Sequence, residues 1–268
     1  MKHILTFIVL LSTITASPAH LMAADSVSCW FPPSYKNNVE KAERIAKALS
    51  EKSGLQITPS IANSYPDILT SFATGSNNLV YVGSFVQAII KARGLGTPLV
   101  QSIDGRELYS GILVYPKGKD PVEILKSTSS QIAYAIGASS GESTAKAATD
   151  GKASIATNSH TASLNAVIIG PASAAVVKNW WWDDNKHHYP GMETYNIPAC
   201  SKVGNPDNIL TASHALPREQ RDKITLAAMQ SKDAFGANDM RIFHEGTLMF
   251  SLWLMKKGSI DPITYTWN

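Results

Sequence analysis

Ser139, Ser140 and Gly141 follow Ala138 between a β-prone run, residues 131–136, and a helix-prone run that ends near Thr149. Hydroxyls and unpaired backbone N–H groups at a helix start lie in the positive end of the helix dipole, a setting that holds oxyanions. The same serines, with Glu142, would equally serve as helix caps. His160 and Thr161 open a second predicted helix. An imidazole donates from either nitrogen and changes charge near neutral pH, although an isolated histidine is more often a structural residue. Tyr65, Tyr81 and Tyr109 each offer a flat apolar face with one hydrogen-bonding oxygen, and Ser84 follows a Val82-Gly83 turn. Asp207, after Asn205-Pro206, would pair with a ligand ammonium group or shape a turn.

Other chemistries find less support. No Gly-x-Ser-x-Gly occurs, and Ser140 has no neighbouring base in the sequence. His187-His188 beside Asp183-Asp184 supplies only one pair of ligands at helical spacing, so no metal and no cofactor is expected. Trp180-Trp181-Trp182 cannot all face one side of a helix; packing is the simpler reading, with a cage for a cationic ligand as the other. A formal charge of +3 and no Lys/Arg block with interleaved aromatics argue against nucleic acid as a partner.

These residues need elements to hold them. Residues 1–24 carry Lys2, an apolar run from Ile4 to Ile14, and small residues at Ala23 and Ala24. That pattern reads as a cleaved secretory signal, so the mature protein is expected in the periplasm. There Cys29 and Cys200 could oxidise to a disulfide, although they fall on what read as non-neighbouring strands of one sheet. Apolar spacing predicts helices over residues 39–52, from Ser64 with Asp67 as its capping-box partner, and over 85–93. Asn78 to Val82 reads as a strand, as do residues 98–103 and 109–115. A second unit from Pro116 again alternates β and α. Residues 194–197, 208–213 and the helical stretch 217–230 read as a return to the first layer. The expected fold is α/β with two lobes, each a mixed sheet flanked by helices. One lobe spans residues 25–115 with 194–268, the other residues 116–193, joined by two hinge crossings. Ligands of such sheets bind beyond the C-terminal strand ends, so facing lobes create a cleft lined by helix starts.

Ser159-His160-Thr161-Ala162-Ser163-Leu164, then Ala174-Ala175-Val176-Val177, Asn205-Pro206 and Leu216-Pro217-Arg218-Glu219, occur in an order that resembles one family. The chain is similar, over roughly residues 26–223, to phosphonate/phosphate-type solute-binding proteins of bacterial ABC importers. The resemblance implies a type II periplasmic binding protein. It also implies that Ser139 and Ser140 stand in the family's Ser-Thr-Ser-Gly turn, which binds the ligand's oxyanion. Two departures occur there: Ala138 lacks the first hydroxyl, and Glu142 adds a carboxylate. His160, with Thr161, would contact the ligand head group. Tyr81 to Phe85 resembles the family's aromatic-Leu-Gly-Pro turn, with Ser84 in place of proline, and Asp207 lies where the family has a cleft residue. The implied function is capture of a small anionic molecule, phosphonate-like or phosphate-like, by a monomer that delivers it to an ABC permease in the inner membrane. Alternatives keep the fold with an amine-bearing or zwitterionic solute, make the chain the sensory subunit of a membrane kinase, or make it an exported hydrolase with His160 as base.

Overall fold

The computed structural model describes residues 26–267, so the expected signal segment lies outside the described residues. Strand β1 (Val27–Phe31) buries alternate side chains and pairs in parallel with β2 (Ile57–Ile61) and β3 (Asn78–Val82). Between β1 and β2, helix α1 (Val39–Ser53) turns Ala42, Ile45, Ala46 and Leu49 onto the sheet, the spacing of one helical face. Helix α2 (Tyr65–Ala73) starts as its sequence predicts, with Asp67 Oδ2 accepting from the Ser64 N–H at 3.1 Å. After β3 comes α3 (Ser84–Ala92), then β4 (Gly96–Ile103).

The chain leaves this layer through a short strand, β5 (Leu108–Tyr109), and enters a second one with β6 (Gly111–Pro116). There follow α4 (Pro121–Ser127), β7 (Ile132–Ala135), α5 (Thr144–Ala148), β8 (Ile155–Thr157), α6 (His160–Ile169), β9 (Ala174–Lys178), α7 (Asn179–Asn185) and β10 (Met192–Tyr195). It returns through β11 (Asn205–Pro206) to β12 (Ile209–Ser213), α8 (Arg218–Met229), α9 (Lys232–Phe235), β13 (Asp239–Ile242) and α10 (Met249–Lys257).

Among the described residues the first lobe holds a six-stranded mixed sheet, order β13-β4-β12-β3-β1-β2, and the second a five-stranded mixed sheet, order β10-β6-β9-β7-β8. β5 and β11 pair antiparallel, Asn205 opposite Tyr109, and so form the two crossings side by side. The fold class is the expected one: two α/β lobes with mixed sheets. The boundaries differ. Residues 109–115 are not one strand, because the chain breaks at Ser110, whose N–H donates to Asn179 Oδ1 at 3.0 Å. Gly111–Pro116 then pairs with β9 and β10, so residues 111–116 and 192–195 belong to the second sheet.

Helix α10 straddles the lobes. Leu254 joins the second-lobe core, while its neighbour Met255 joins the core beneath α2 and α3. Ser251 on the same helix donates to Asn205 Oδ1 at 2.8 Å and so braces the hinge pair.

The two cysteines lie in different lobes. Cys29 is buried in the first-lobe core, Cys200 in the second, and both are free thiols. The reading that set them on strands of a single sheet is corrected by this separation. Burial raises the pKa of both thiols above the ordinary cysteine value and so keeps them protonated. Among the described residues no helix is long and apolar enough to cross a membrane.

Candidate functional site

A cavity of about 250 Å³ lies between the lobes, at the C-terminal ends of strands from both sheets. From the first lobe it receives Tyr35 after β1, Tyr81 on β3, and Tyr65 at the start of α2. The second lobe supplies Gly137, Ala138, Ser139 and Ser140 after β7, His160 at the start of α6, and Lys178 at the end of β9. Tyr109 and Asp207 enter from the crossings. Facing strand ends with helix starts behind them put donors around a small space, the arrangement open α/β sheets use for ligands.

The serine turn is shaped by an unusual helix start. Residues Ser139–Ser143 form a wide π turn before α5, in which the N–H groups of Gly141 and Ser143 both return to the Ala138 carbonyl, at 3.1 and 3.3 Å. Such single π turns often occur at functional sites. The Ser139 and Ser140 N–H groups precede the first bonded turn and belong to the outward-facing set at a helix start. Thr144 Oγ1 donates to the Ser139 carbonyl at 2.8 Å and fixes the turn from behind. Glu142, which the sequence places as a rival to a bound anion, is turned away from the cavity. Its carboxylate accepts from Gly137 N–H at 2.8 Å, Lys146 Nζ at 2.8 Å and Tyr265 Oη at 2.7 Å.

Of the residues expected in the site, Ser139, Ser140, His160, Tyr65, Tyr81, Tyr109 and Asp207 come together around this cavity. Two do not. Ser84 is fully buried behind the wall, where its hydroxyl lies 2.7 Å from Tyr109 Oη and donates to Ser139 Oγ at 2.9 Å. It faces no cleft because α3 begins at Ser84 and its first turn packs inward. Instead it ties a crossing tyrosine to the serine turn of the opposite lobe. Thr161 is exposed on α6 and lies outside the cavity. Ser159 Oγ accepts from Ala162 N–H at 3.1 Å, so Ser159 takes the capping role there.

Wall residues absent from the sequence reading include Lys178 and Tyr35. Lys178 Nζ pairs with Asp207 Oδ2 and lies 4.3 Å from the ring centroids of both Tyr109 and Trp180. Tyr35 packs 5.0 Å from the Phe31 ring. Each stands within a few residues of the C-terminal end of a strand. A lysine after the apolar run Ala174-Ala175-Val176-Val177 was a readable signal for a site there. The tryptophans divide their work. Trp182 is buried in the second lobe, Trp181 packs 5.7 Å from His160, and Trp180 covers Lys178. Trp180 packs beside the crossing as the packing account expects, against Tyr109, and its ring also covers Lys178. His187 and His188 lie on a 3-10 turn that brings their ring centroids within 3.8 Å.

Among the described residues, formal charge at the cavity wall comes from one pair. Asp207 is the only carboxylate among the lining residues and Lys178 the only ammonium. Burial first, then the Asp207 charge, raises Tyr65 and Tyr109 above the ordinary phenol range, so both remain protonated donors. Burial first, then Lys178, holds His160 down to about 4. Among the described residues its buried Nδ1 has no hydrogen-bond partner, so the neutral ring is the favoured form. Because the folded value lies below the unfolded value of about 6.5, the stability contributed by neutral His160 is complete above that pH. It is lost as pH falls from about 6.5 toward 4, by at most about 3 kcal/mol. Denaturant melts between pH 4 and 7 should therefore show a shallower pH slope for His160→Gln than for wild type; parallel curves would contradict this.

Comparison with known proteins places this geometry in context. Residues 30–245 match the model of the ABC-transporter phosphonate periplasmic substrate-binding proteins. The chain belongs to this family. Periplasmic location, a small-molecule ligand and a membrane permease as partner are the family's properties. Among solved structures, PhnD1 from Prochlorococcus marinus in complex with methylphosphonate is 16% identical, with 87% of this chain and 98% of that one covered at a TM-score of 0.63. A binding-protein component of an ABC phosphonate transporter from Pseudomonas aeruginosa is 14% identical, covering 87% and 88% at 0.63. A Xanthomonas citri protein bound to ATP is 11% identical, covering 88% and 97% at 0.69. At these identities the likeness is one of fold. No curated protein matches the chain.

Proposed function

We propose that this protein captures a small phosphorus oxyanion, phosphonate-like or phosphate-like, between its lobes and passes it to the permease of its importer. The observation that carries this reading is the convergence of Ser139, Ser140 and His160 from one lobe with Tyr65 and Tyr81 from the other on one cavity. Such an anion has oxygens enough to engage both lobes at once, and only the closed form offers all those donors together. Ligand binding therefore shifts the lobes toward closure.

Size narrows the ligand. Cavities that hold drug-sized molecules run from ~300 to 1,000 Å³, and this one is about 250 Å³. A methylphosphonate fits that scale, whereas a nucleotide such as the ATP of the Xanthomonas protein needs a wider opening. Binding rather than hydrolysis is favoured because the family is one of substrate-binding proteins and burial lowers His160 to about 4, which leaves it a weak general base. In this reading the chain acts as a monomeric transport component; a charge swap on a lobe surface that stops uptake while preserving affinity would favour transport over sensing.

A thermal-shift screen of the mature protein tests the ligand class, using phosphate, phosphite, methylphosphonate, sulfate, and a panel of amines and amino acids. A ligand at 100 times its dissociation constant stabilises the fold by about 2.7 kcal/mol. Stabilisation by phosphorus oxyanions is expected. Stabilisation by amines or amino acids alone would keep the fold and overturn the ligand.

A further inference from the structure

We infer that Lys178 is a resident cation occupying the place a ligand's ammonium group would need. The cleft accordingly selects phosphorus oxyanions with uncharged tails against those bearing an amine. The inference rests on the oxyanion reading above and adds the chemistry of the tail.

A carboxylate flanked by aromatic faces is a general receptor for an alkylammonium group, through ion pairing and attraction to the ring quadrupoles. Such a receptor stands at the cavity wall. Asp207 and Tyr109 of the lining supply the carboxylate and one face, and Trp180, just behind the lining, supplies the other, its ring 5.7 Å from that of Tyr109 and inclined at 68°. The receptor is already filled. Lys178 Nζ pairs with Asp207 and sits 4.3 Å from each ring centroid. The geometry is built around the carboxylate, too. Asp207 Oδ1 lies over Gly83, where a Cβ would come within 2.8 Å of it, so the turn after β3 leaves room for the carboxylate only because residue 83 has no side chain.

Two positive groups cannot share one carboxylate in so small a space without losing much of their attraction. An amine-bearing ligand must displace the lysine from Asp207 and both rings, or leave its own ammonium unpaired beside a like charge. Burying an unpaired charge is expensive. An uncharged tail meets neither penalty, and the oxyanion head gains from a nearby ammonium. The arrangement therefore opposes the amine-bearing solute considered at the level of sequence, and it does so through a residue that reading did not include. Lys178 acts here as a specificity-determining residue.

The test compares methylphosphonate with 2-aminoethylphosphonate, which differ by an aminomethyl extension, by calorimetric titration of wild type, Lys178→Gln and the double variant Lys178→Gln/Asp207→Asn. Wild type is expected to bind methylphosphonate at least tenfold more tightly than the amine. Lys178→Gln frees Asp207 and both rings, so the ratio should move at least tenfold toward 2-aminoethylphosphonate; the double variant should cancel that gain. Because the ratio is taken within each protein, a general loss of affinity from removing a positive charge does not affect it. Equal binding of the two ligands by wild type overturns the inference without any variant, as does an unchanged ratio in a Lys178→Gln protein that melts like wild type. Absence of binding by both compounds to both wild type and Lys178→Gln overturns the oxyanion reading itself, and this inference with it.

Discussion

Glu142→Leu should lower stability by about 3–5 kcal/mol, the cost of breaking a buried ion pair and stranding its partners. Glu142 has a side chain only 2% exposed, and Lys146, its ammonium partner, is 24% exposed. Three donors converge on that carboxylate: Lys146, the Gly137 N–H at the start of the serine turn, and the hydroxyl of Tyr265. Leucine would fill much of the volume and satisfy none of them. Burial first, then Glu142, pushes the Tyr265 phenol above its ordinary range, so in the folded protein it is a committed donor to Glu142.

The loss also reaches across the cleft. Tyr265 is fastened to the first lobe, where Arg93 donates to its carbonyl at 2.7 Å and its ring packs 5.1 Å from Phe85 and 4.7 Å from Trp267. Glu142 thus connects the C-terminal segment on one lobe to the serine turn on the other. For a chain of this size each kcal/mol moves the melting midpoint by about 2–4 °C, so a drop of roughly 6–20 °C is expected by differential scanning calorimetry. Glu142→Gln retains an acceptor for Gly137 and Tyr265 and should lose markedly less. Equal melting of wild type, the leucine variant and the glutamine variant would remove Glu142 from this role.

Gly111→Ala is the second large effect, and it falls on binding. A Cβ at position 111 would meet the Ser140 carbonyl oxygen at 2.5 Å, Thr144 Oγ1 at 2.6 Å and Thr144 Cβ at 2.7 Å. None of these is the tip of a flexible side chain. Ser140 is in the π turn, and Thr144 is fully buried beneath it, holding the Ser139 carbonyl. The added methyl can be accommodated only by moving the turn that presents both serine hydroxyls, at an overpacking cost of about 1–3 kcal/mol. A displacement on that scale misaligns several donors together, so methylphosphonate affinity should fall more than tenfold while the circular dichroism spectrum stays wild-type. Unchanged affinity would mean that the turn does not form the anion site.

The local parts of this fold were legible because local chemistry determines them. Ser64 and Asp67 announce the start of α2, Asn78–Val82 is a fully buried apolar strand, and the α1 stripe has helical spacing. Long-range partners were not legible. Gly111–Pro116 and Met192–Tyr195 carry nothing in their own residues that assigns them to one sheet or the other; pairing of the first with β9, and of the second with the first, decides it. The same limit applies to the site. Serine turns and a histidine at a helix start advertise themselves. Ser84 was misjudged because its hydroxyl is consumed by Tyr109 and Ser139, from segments 25 and 55 residues away. Glu142 looked like a competitor for the ligand because nothing near it in sequence reveals Tyr265, 123 residues later. Lys178 and Asp207 are separated by 29 residues and read as unrelated until the crossings bring them together.

The most direct test is calorimetric titration of methylphosphonate into the mature wild-type protein and into Ser140→Ala. Ser140 is 2% exposed and lines the cavity, so its hydroxyl is positioned as a buried donor. Wild type should bind one ligand per chain with no product formed, and Ser140→Ala should lose about 1–3 kcal/mol of binding free energy, the cost of a missing buried hydrogen-bond donor. No saturable heat with wild type, or identical affinity in Ser140→Ala, would contradict oxyanion capture at the serine turn.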